Sequence, residues 1–267
     1  MRTLFSKNKI EAVIHFAAFI EVGESVIDPL KYYSNNFSNS LILLRAMKES
    51  GIQKIVFSST AAVYGNPQKT PIEETDLRKP INPYGLSKMM VEQVLEDFSR
   101  TYNLGYAILR YFNVAGASPT GKIGEAHEPE SHLIPRILQS LRNTAVPVSI
   151  YGTDYETTDG TCVRDYVHVD DLAEAHILAL KNIKMGAGNI FNLGSESGFS
   201  VRQVVEACRS VTALKIQIRE EPRRSGDPAV LVASSIKAKK MLDWQPQYPD
   251  LQTIIRHAWN WHQNQKF

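Results

Sequence analysis

Short apolar runs that alternate with helical patterns govern what this chain can fold into. Ala12 to Ala18, Lys54 to Ser58 and Gly105 to Phe112 each read as a buried strand. Between them the spacing predicts a long helix opened by Asp28-Pro29, running to about Glu49 and stopped by Gly51, and another from Pro83 to about Tyr102. Repeated strand–helix units imply a parallel sheet covered on both faces, an α/β fold of the doubly wound Rossmann type. Beyond Asn113 to His132, a Gly-, Pro- and Ser-rich loop, the pattern continues less regularly. Leu133 to about Arg142 reads as a helix, Val146 to Tyr151 as a strand, and Asp165 to Val169 as another. Asp170 and Asp171 are placed to cap a helix from Leu172 to Lys181, Asn189 to Leu193 forms a strand, and Ser200 caps a helix from Val201 to Ser210. The last third is a small mixed α/β lobe ending in a helix that carries Trp259 and Trp261.

A chain of 267 residues suffices for one large α/β domain and a smaller lobe. The net charge of +2 gives no reason to expect a nucleic-acid or membrane surface, and no apolar run has the length of a membrane span. The N-terminus lacks the apolar stretch of a signal peptide, which makes the cytoplasm the expected compartment. Cys162 and Cys208 are too few for a disulfide framework and form no zinc-type pair. His168, Asp170 and Asp171 have no common metal-ligand spacing and sit where helix caps are expected, so no metal is assigned. His127 and His132 read as solvated residues or edge contacts to a substrate.

The sharpest chemical feature is Tyr84-Gly85-Leu86-Ser87-Lys88. A Tyr and a Lys four residues apart share a helix face, and the ammonium favours the phenolate, making a general base from a group that ordinarily titrates near 10. With eleven tyrosines, about one such pair is expected by chance, and most single pairs are surface contacts. Context raises its weight. The strand ending at Phe57 runs into Ser58-Ser59-Thr60, and parallel strands deliver their carboxyl ends to the site edge of such a sheet. A hydroxyl there can bond a substrate oxygen and relay its proton to Tyr84.

These residues resemble the extended short-chain dehydrogenases. His15-Phe16-Ala17-Ala18, Val22-Gly23-Glu24-Ser25, Asn35-Asn36, Val63-Tyr64-Gly65-Asn66 and Asn82-Pro83-Tyr84-Gly85 narrow the resemblance to sugar-nucleotide enzymes. Leu109 to Ala117, Asp159 to Val169 and Arg223-Arg224-Ser225-Gly226-Asp227-Pro228 look like UDP-glucose 4-epimerases, and the likeness extends over nearly the whole chain from about Ile10.

The resemblance implies NAD as cofactor and a UDP-sugar as substrate. It implies Thr60, Tyr84 and Lys88 as catalytic residues, with Thr60 and Tyr84 at the sugar 4-hydroxyl and Lys88 on the nicotinamide ribose. Phe16, Ala17, Ala18, Asn35 and Phe112 would line the cofactor. Asn113, the Leu133 backbone, Tyr151, Arg164, Arg224, Asp227 and Leu231 would hold the sugar nucleotide, the two arginines on its diphosphate. Residues 1–115, rejoined by about 165–195, would form a partial NAD-binding domain; 116–160 and 196–267 would form the sugar-nucleotide lobe. A homodimer would pair the helices of 28–49 and 83–102, with Leu41, Leu44, Met47, Met89, Met90 and Val94 as apolar contacts.

Three departures from the family pattern shape the expectations. No Gly-x-x-Gly-x-x-Gly turn occurs near the N-terminus, and the Ala12–Phe16 strand resembles the fourth strand of the family sheet. About sixty residues, two strand–helix units, are therefore expected to be absent, which puts pyrophosphate binding and activity of the chain in doubt. Leu231 stands where some relatives carry tyrosine beside the sugar, and His132 replaces a common asparagine. The alternatives are an epimerase of UDP-N-acetylhexosamine or UDP-pentose, and a catalytically dead homologue that serves as a binding module. A 4,6-dehydratase is disfavoured, because Ala61 and Ala62 follow Thr60 where an acid and a base are needed.

Overall fold

The computed structural model describes residues 2–141, 147–224 and 226–265. A short helix α1 (Arg2–Lys7) leads into strand β1 (Val13–His15). Helices α2 (Val22–Ile27), α3 (Pro29–Tyr32) and α4 (Asn39–Glu49) follow. Strand β2 (Lys54–Thr60), helix α5 (Pro83–Tyr102) and strand β3 (Gly105–Tyr111) complete the first half. The second half comprises β4 (Asn113–Ala115), α6 (Leu133–Ser140), β5 (Val148–Tyr151), β6 (Val163–His168), α7 (Val169–Asn182) and β7 (Gly188–Leu193). It ends with β8 (Gly198–Ser200), α8 (Val201–Thr212), β9 (Ile218–Glu221), β10 (Val230–Leu231), α9 (Ile236–Leu242) and α10 (Leu251–Asn264).

The main sheet has the order β1-β2-β3-β7, all parallel, so His15, Thr60, Tyr111 and Leu193 end at one edge. Side-chain alternation sorts its two faces. Ile55, Phe57 and Ile108 pack with Leu44, Met47, Val91 and Leu95 of α4 and α5. Val56, Leu109 and Phe191 face Ala175 of α7 and the buried Trp244. The second sheet, β10-β6-β4 with β8 antiparallel on β6, and the parallel pair β5-β9 build the remaining lobe around a core from α6, α8 and α10. The α/β architecture with parallel strands agrees with the sequence reading.

Local differences have identifiable causes. The predicted long helix is interrupted: Asp28 caps α3 by accepting from Lys31 N at 3.1 Å, and Tyr33–Ser38 then forms a π-helical turn before α4. Only Val13–His15 of the first apolar run pairs as a strand, and among the described residues β1 has a strand on one side alone. Asn113–Ala115, read as loop, pairs with β6. Asp170 and Asp171 do not cap α7. His168 does so, accepting from Asp170 N, while the Asp171 carboxylate accepts from Gln247 N and Tyr248 N at 2.7 and 3.0 Å. Ser200 caps α8 as expected, in a reciprocal box with Gln203. The predicted limits at Arg142 and Val146, and Ser225 of the arginine motif, lie outside the described residues.

Two of the apolar contacts expected for a dimer need correction. Leu44 and Met47 are buried within the chain and offer no area to a second, whereas Leu41, Met89, Met90 and Val94 are half-buried. The large apolar groups that α2, α3 and α4 do expose are Val26, Ile27, Leu30 and Ile42.

Candidate active site

Tyr84 stands in the first turn of α5, which begins sharply because Asn82 accepts from Gly85 N at 2.8 Å and Pro83 presets the first helical residue. Thr60 is the last residue of β2; its Oγ1 accepts from Ala62 N at 3.1 Å, and the side chain lies beside the Tyr84 phenol. Gly85 makes that approach possible, since a Cβ there would meet the Ala62 carbonyl oxygen at 2.5 Å. One turn on, Lys88 is 2% exposed; its Nζ donates to the Ser58 carbonyl at 2.7 Å and lies 5.0 Å from the centre of the Phe57 ring.

The electrostatics differ from the sequence expectation. Burial holds the Tyr84 phenol above its usual value; Thr60 pulls it down and Glu21 pushes it further up. Burial likewise pushes the Lys88 ammonium down to about 7, against a favourable contribution from Glu92. Desolvation thus outweighs the Thr60 contribution at the phenol and the Glu92 contribution at the lysine, because both groups are removed from water together. His15 in β1 is also held neutral, lowered to about 4 first by burial and then by Lys88, and its Nε2 pairs with Ser40 Oγ at 2.9 Å.

A buried polar network fastens this edge. Glu92, one turn beyond Lys88, takes Arg110 Nε at 3.0 Å and Nη2 at 2.7 Å, and accepts from the Ser59 hydroxyl. Arg110 Nη1 donates to Tyr64 Oη at 2.7 Å, which donates to Asn192 Oδ1 at 2.7 Å. The network therefore joins α5 to β2, β3 and β7 behind the Thr60–Tyr84 pair. Sequence reading missed Glu92 and Arg110. Two signals were available: Tyr84, Lys88 and Glu92 share one helix face, and an arginine within the apolar run Ala107 to Phe112 demands a buried anion.

The residues expected at the cofactor divide into two groups. Phe16 is 56% exposed beside the carboxyl edge, its ring 4.7 Å from that of His176, and Ala17 is exposed and Ala18 half-buried. Asn35 lies on the π-helical turn and bonds only Asn36 and Asn39 among the described contacts. Asn36 rather than Asn35 anchors the loop, exchanging hydrogen bonds with both backbone groups of Phe19 at 2.8 and 2.9 Å. Phe112 is buried in a cluster with Tyr64, Ile72 and Ala233, against which Leu231 also packs. The donor set suits the nicotinamide half of a dinucleotide: a buried ammonium with hydrogens to spare beyond the Ser58 carbonyl, exposed apolar surface at Phe16 and Ala17, and a half-buried amide at Asn35.

On the opposite lobe, β10 pairs with β6 so that Leu231 lies opposite Arg164. This brings Asp227 Oδ1 to 3.2 Å from Arg164 Nη2. The Arg224 guanidinium lies 3.8 Å from the Tyr151 ring centre, and its hydrogen bond lowers that phenol. Arg164 and Asp227 thus form one pair and Arg224 and Tyr151 another. Asn113 is exposed at the start of β4, and Leu133 is the half-buried first residue of α6. His127 and His132 are more than solvated side chains, since each places Nδ1 within 3 Å of Glu125 Oε1.

A parallel sheet that presents a Thr–Tyr–Lys constellation at its carboxyl edge, facing a lobe with paired arginines, defines a dinucleotide-dependent enzyme of sugar nucleotides. The chain belongs to the NAD dependent epimerase/dehydratase family, whose model matches residues 1–194. It is 53% identical to the UDP-glucose 4-epimerase of Lacticaseibacillus casei and 52% identical to that of Halalkalibacterium halodurans, over 98% and 97% of this chain and 79% and 78% of theirs. It is also similar to the crystal structure of UDP-glucose 4-epimerase from Bifidobacterium longum in complex with NAD+ and UDP: TM-score 0.94, 38% identity, 98% of this chain and 79% of that one. Among the described residues no helix is long and apolar enough to cross a membrane.

Proposed function

We propose that the chain carries the chemistry of a UDP-glucose 4-epimerase, interconverting UDP-glucose and UDP-galactose by inversion at carbon 4. The observation that carries this reading is Thr60 placed beside the Tyr84 phenol, one helical turn from the buried Lys88. Tyr84 takes the proton of the sugar 4-hydroxyl, directly or through Thr60, and returns it after inversion. NAD, when bound, supplies the hydride acceptor and donor at carbon 4 and a positive ring that favours the phenolate. Lys88 turns its spare hydrogens to the nicotinamide ribose, while Phe16, Ala17, Ala18, Asn35 and Phe112 line the cofactor. Arg164 and Arg224 grip the diphosphate, so that the sugar can present either face to Tyr84 without leaving. Asp227 then exchanges its arginine for the nucleotide ribose, Tyr151 lies by the uracil, and Asn113, the Leu133 backbone and Leu231 border the sugar.

Residues 1–115 with about 165–195 serve NAD in this reading, and 116–160 with 196–267 serve the sugar nucleotide. The protein acts in the cytoplasm, and a homodimer would pair the helices of 28–49 and 83–102, where Leu30 and Ile42 are exposed. The deciding experiment measures NAD bound to the purified chain by absorbance, and epimerisation of UDP-galactose by a coupled assay. Stoichiometric NAD with turnover is the expected result. UDP-sugar binding without NAD or turnover would favour the binding-module alternative.

A further inference from the structure

Two histidines and two glutamates converge in the loop that leads into α6. One nitrogen or carboxylate oxygen from each of Glu125, His127, Glu130 and His132 lies within 4.8 Å of the others. Glu125 Oε1 is 2.9 Å from His127 Nδ1 and 2.8 Å from His132 Nδ1, and Glu130 Oε2 is 3.7 Å from His127 Nδ1. Ligand atoms set tetrahedrally about 2.1 Å from an ion are about 3.4 Å apart. Small side-chain adjustments would therefore enclose one.

Glu130 provides an independent sign of a ligand. Its side chain is 3% exposed. One oxygen, Oε1, accepts from the backbone N–H of Ser131 and His132 at 2.8 Å each, and faces His132 Nδ1 at 2.9 Å. The other oxygen, Oε2, is buried with no hydrogen-bond partner. Native structures rarely leave such an atom unsatisfied, and each exception asks for a cause. Here the atom lies 3.7 Å from His127 Nδ1, on a residue clustered with a second imidazole and a second carboxylate.

The frame around the cluster is fixed from outside. Trp261 Nε1 donates to the Glu125 carbonyl at 2.8 Å, and Ser131 Oγ donates to Glu21 Oε1 at 2.6 Å. A site held by its surroundings orders its ligands before the ion arrives.

We propose that Glu125, His127, Glu130 and His132 form a binding site for a divalent cation of the zinc class, which clamps the loop preceding α6. Two imidazoles and two carboxylates favour a borderline ion over magnesium or calcium, which prefer oxygen alone. His127 and His132, read from the sequence as solvated or as edge contacts to a substrate, become ligands in this proposal, and His132 directly precedes Leu133 of the proposed sugar-nucleotide site.

The test is zinc binding by the purified full chain. After dialysis against a chelator, calorimetric titration with ZnCl2 and metal counting by mass spectrometry should show about one equivalent per chain, at a Kd well below that of MgCl2. His127→Ala removes a half-exposed ligand, and Glu130→Gln removes the charge on the buried oxygen; each should weaken zinc binding about 10–100-fold. Thermal melts should show ZnCl2 raising the Tm of the parent protein, and raising it less in both variants. If Glu130→Gln does not fold, His127→Ala alone decides. No zinc bound at about 100 µM, or an unchanged affinity in His127→Ala, overturns the proposal.

Discussion

Glu92 lies two helical turns beyond Tyr84 on one face of α5, and its carboxylate takes two nitrogens of Arg110 at 3.0 and 2.7 Å. Arg110 is fully buried and its other partners, Tyr64 and the Glu74 carbonyl, are neutral. Glu92→Gln would leave that guanidinium without a counter-charge. The expected loss is about 3–5 kcal/mol of folding stability, read as a lowered midpoint in urea. Replacing the pair together, Glu92→Leu with Arg110→Met, should recover most of it, because the buried charge is then gone and Arg78, the other partner of Glu92, keeps Glu96. A single variant as stable as the parent would remove the pair from the framework of this edge.

Tyr84→Phe retains the ring but loses the hydroxyl that lies beside Thr60. Turnover in the coupled epimerase assay is expected to fall by about 10²–10⁴, with an unaltered circular dichroism spectrum. The ring of Tyr32 lies edge-on to that of Tyr84 at 6.5 Å, and this contact survives the change. A kcat close to that of the parent protein would exclude Tyr84 as the proton acceptor.

Lys88 titrates near 7 in the fold, against 10.5 for an unburied lysine. Between those values the unfolded chain binds more protons than the native one. The burial penalty is thus fully present below about pH 7 and is relieved as the pH rises towards 10. Urea unfolding of the parent and of Lys88→Met at about pH 7 and pH 9.5 should show the parent gaining on the order of 2 kcal/mol relative to the variant. A difference that does not change with pH would place Lys88 as an ammonium throughout.

The alternation of apolar strands with helices fixed the parallel sheet in advance, since Lys54–Ser58 and Gly105–Phe112 carry both faces' core residues in strict turn. The placement of Thr60 at a strand end and of Tyr84 and Lys88 on one helix face was legible for a related reason: strand end, helix start and helical spacing are all local. What remained hidden depends on distant partners. Asp171 looked like a cap because caps are local, yet it binds Gln247 and Tyr248 backbone groups across the fold. Leu44 and Met47 looked available to a second chain because the helical pattern does not say which neighbour covers a stripe. The π-helical turn at Tyr33–Ser38 leaves no periodic trace. The sign of the Tyr84 and Lys88 shifts also depends on burial, which spacing does not reveal.

Leu231 bears on substrate breadth. It sits in β10 opposite Arg164 and packs against the cluster that contains Phe112 and Tyr64. That position joins the two lobes, with the proposed diphosphate ligand on one side and the proposed cofactor ring on the other. A leucine occupies less depth than a tyrosine, and the freed space suits the N-acetyl group of a larger sugar. The enzyme is therefore expected to turn over UDP-N-acetylglucosamine as well as UDP-glucose, and Leu231→Tyr should suppress the larger substrate selectively. Shape exclusion of a few atoms is commonly worth about 1–3 kcal/mol, a 10–200-fold change in the ratio of kcat/KM values. Comparative kcat/KM for the two substrates in both proteins checks it. Turnover of UDP-glucose alone by the parent, or an equal loss of both activities in Leu231→Tyr, would mean that residue 231 does not set the size of the sugar.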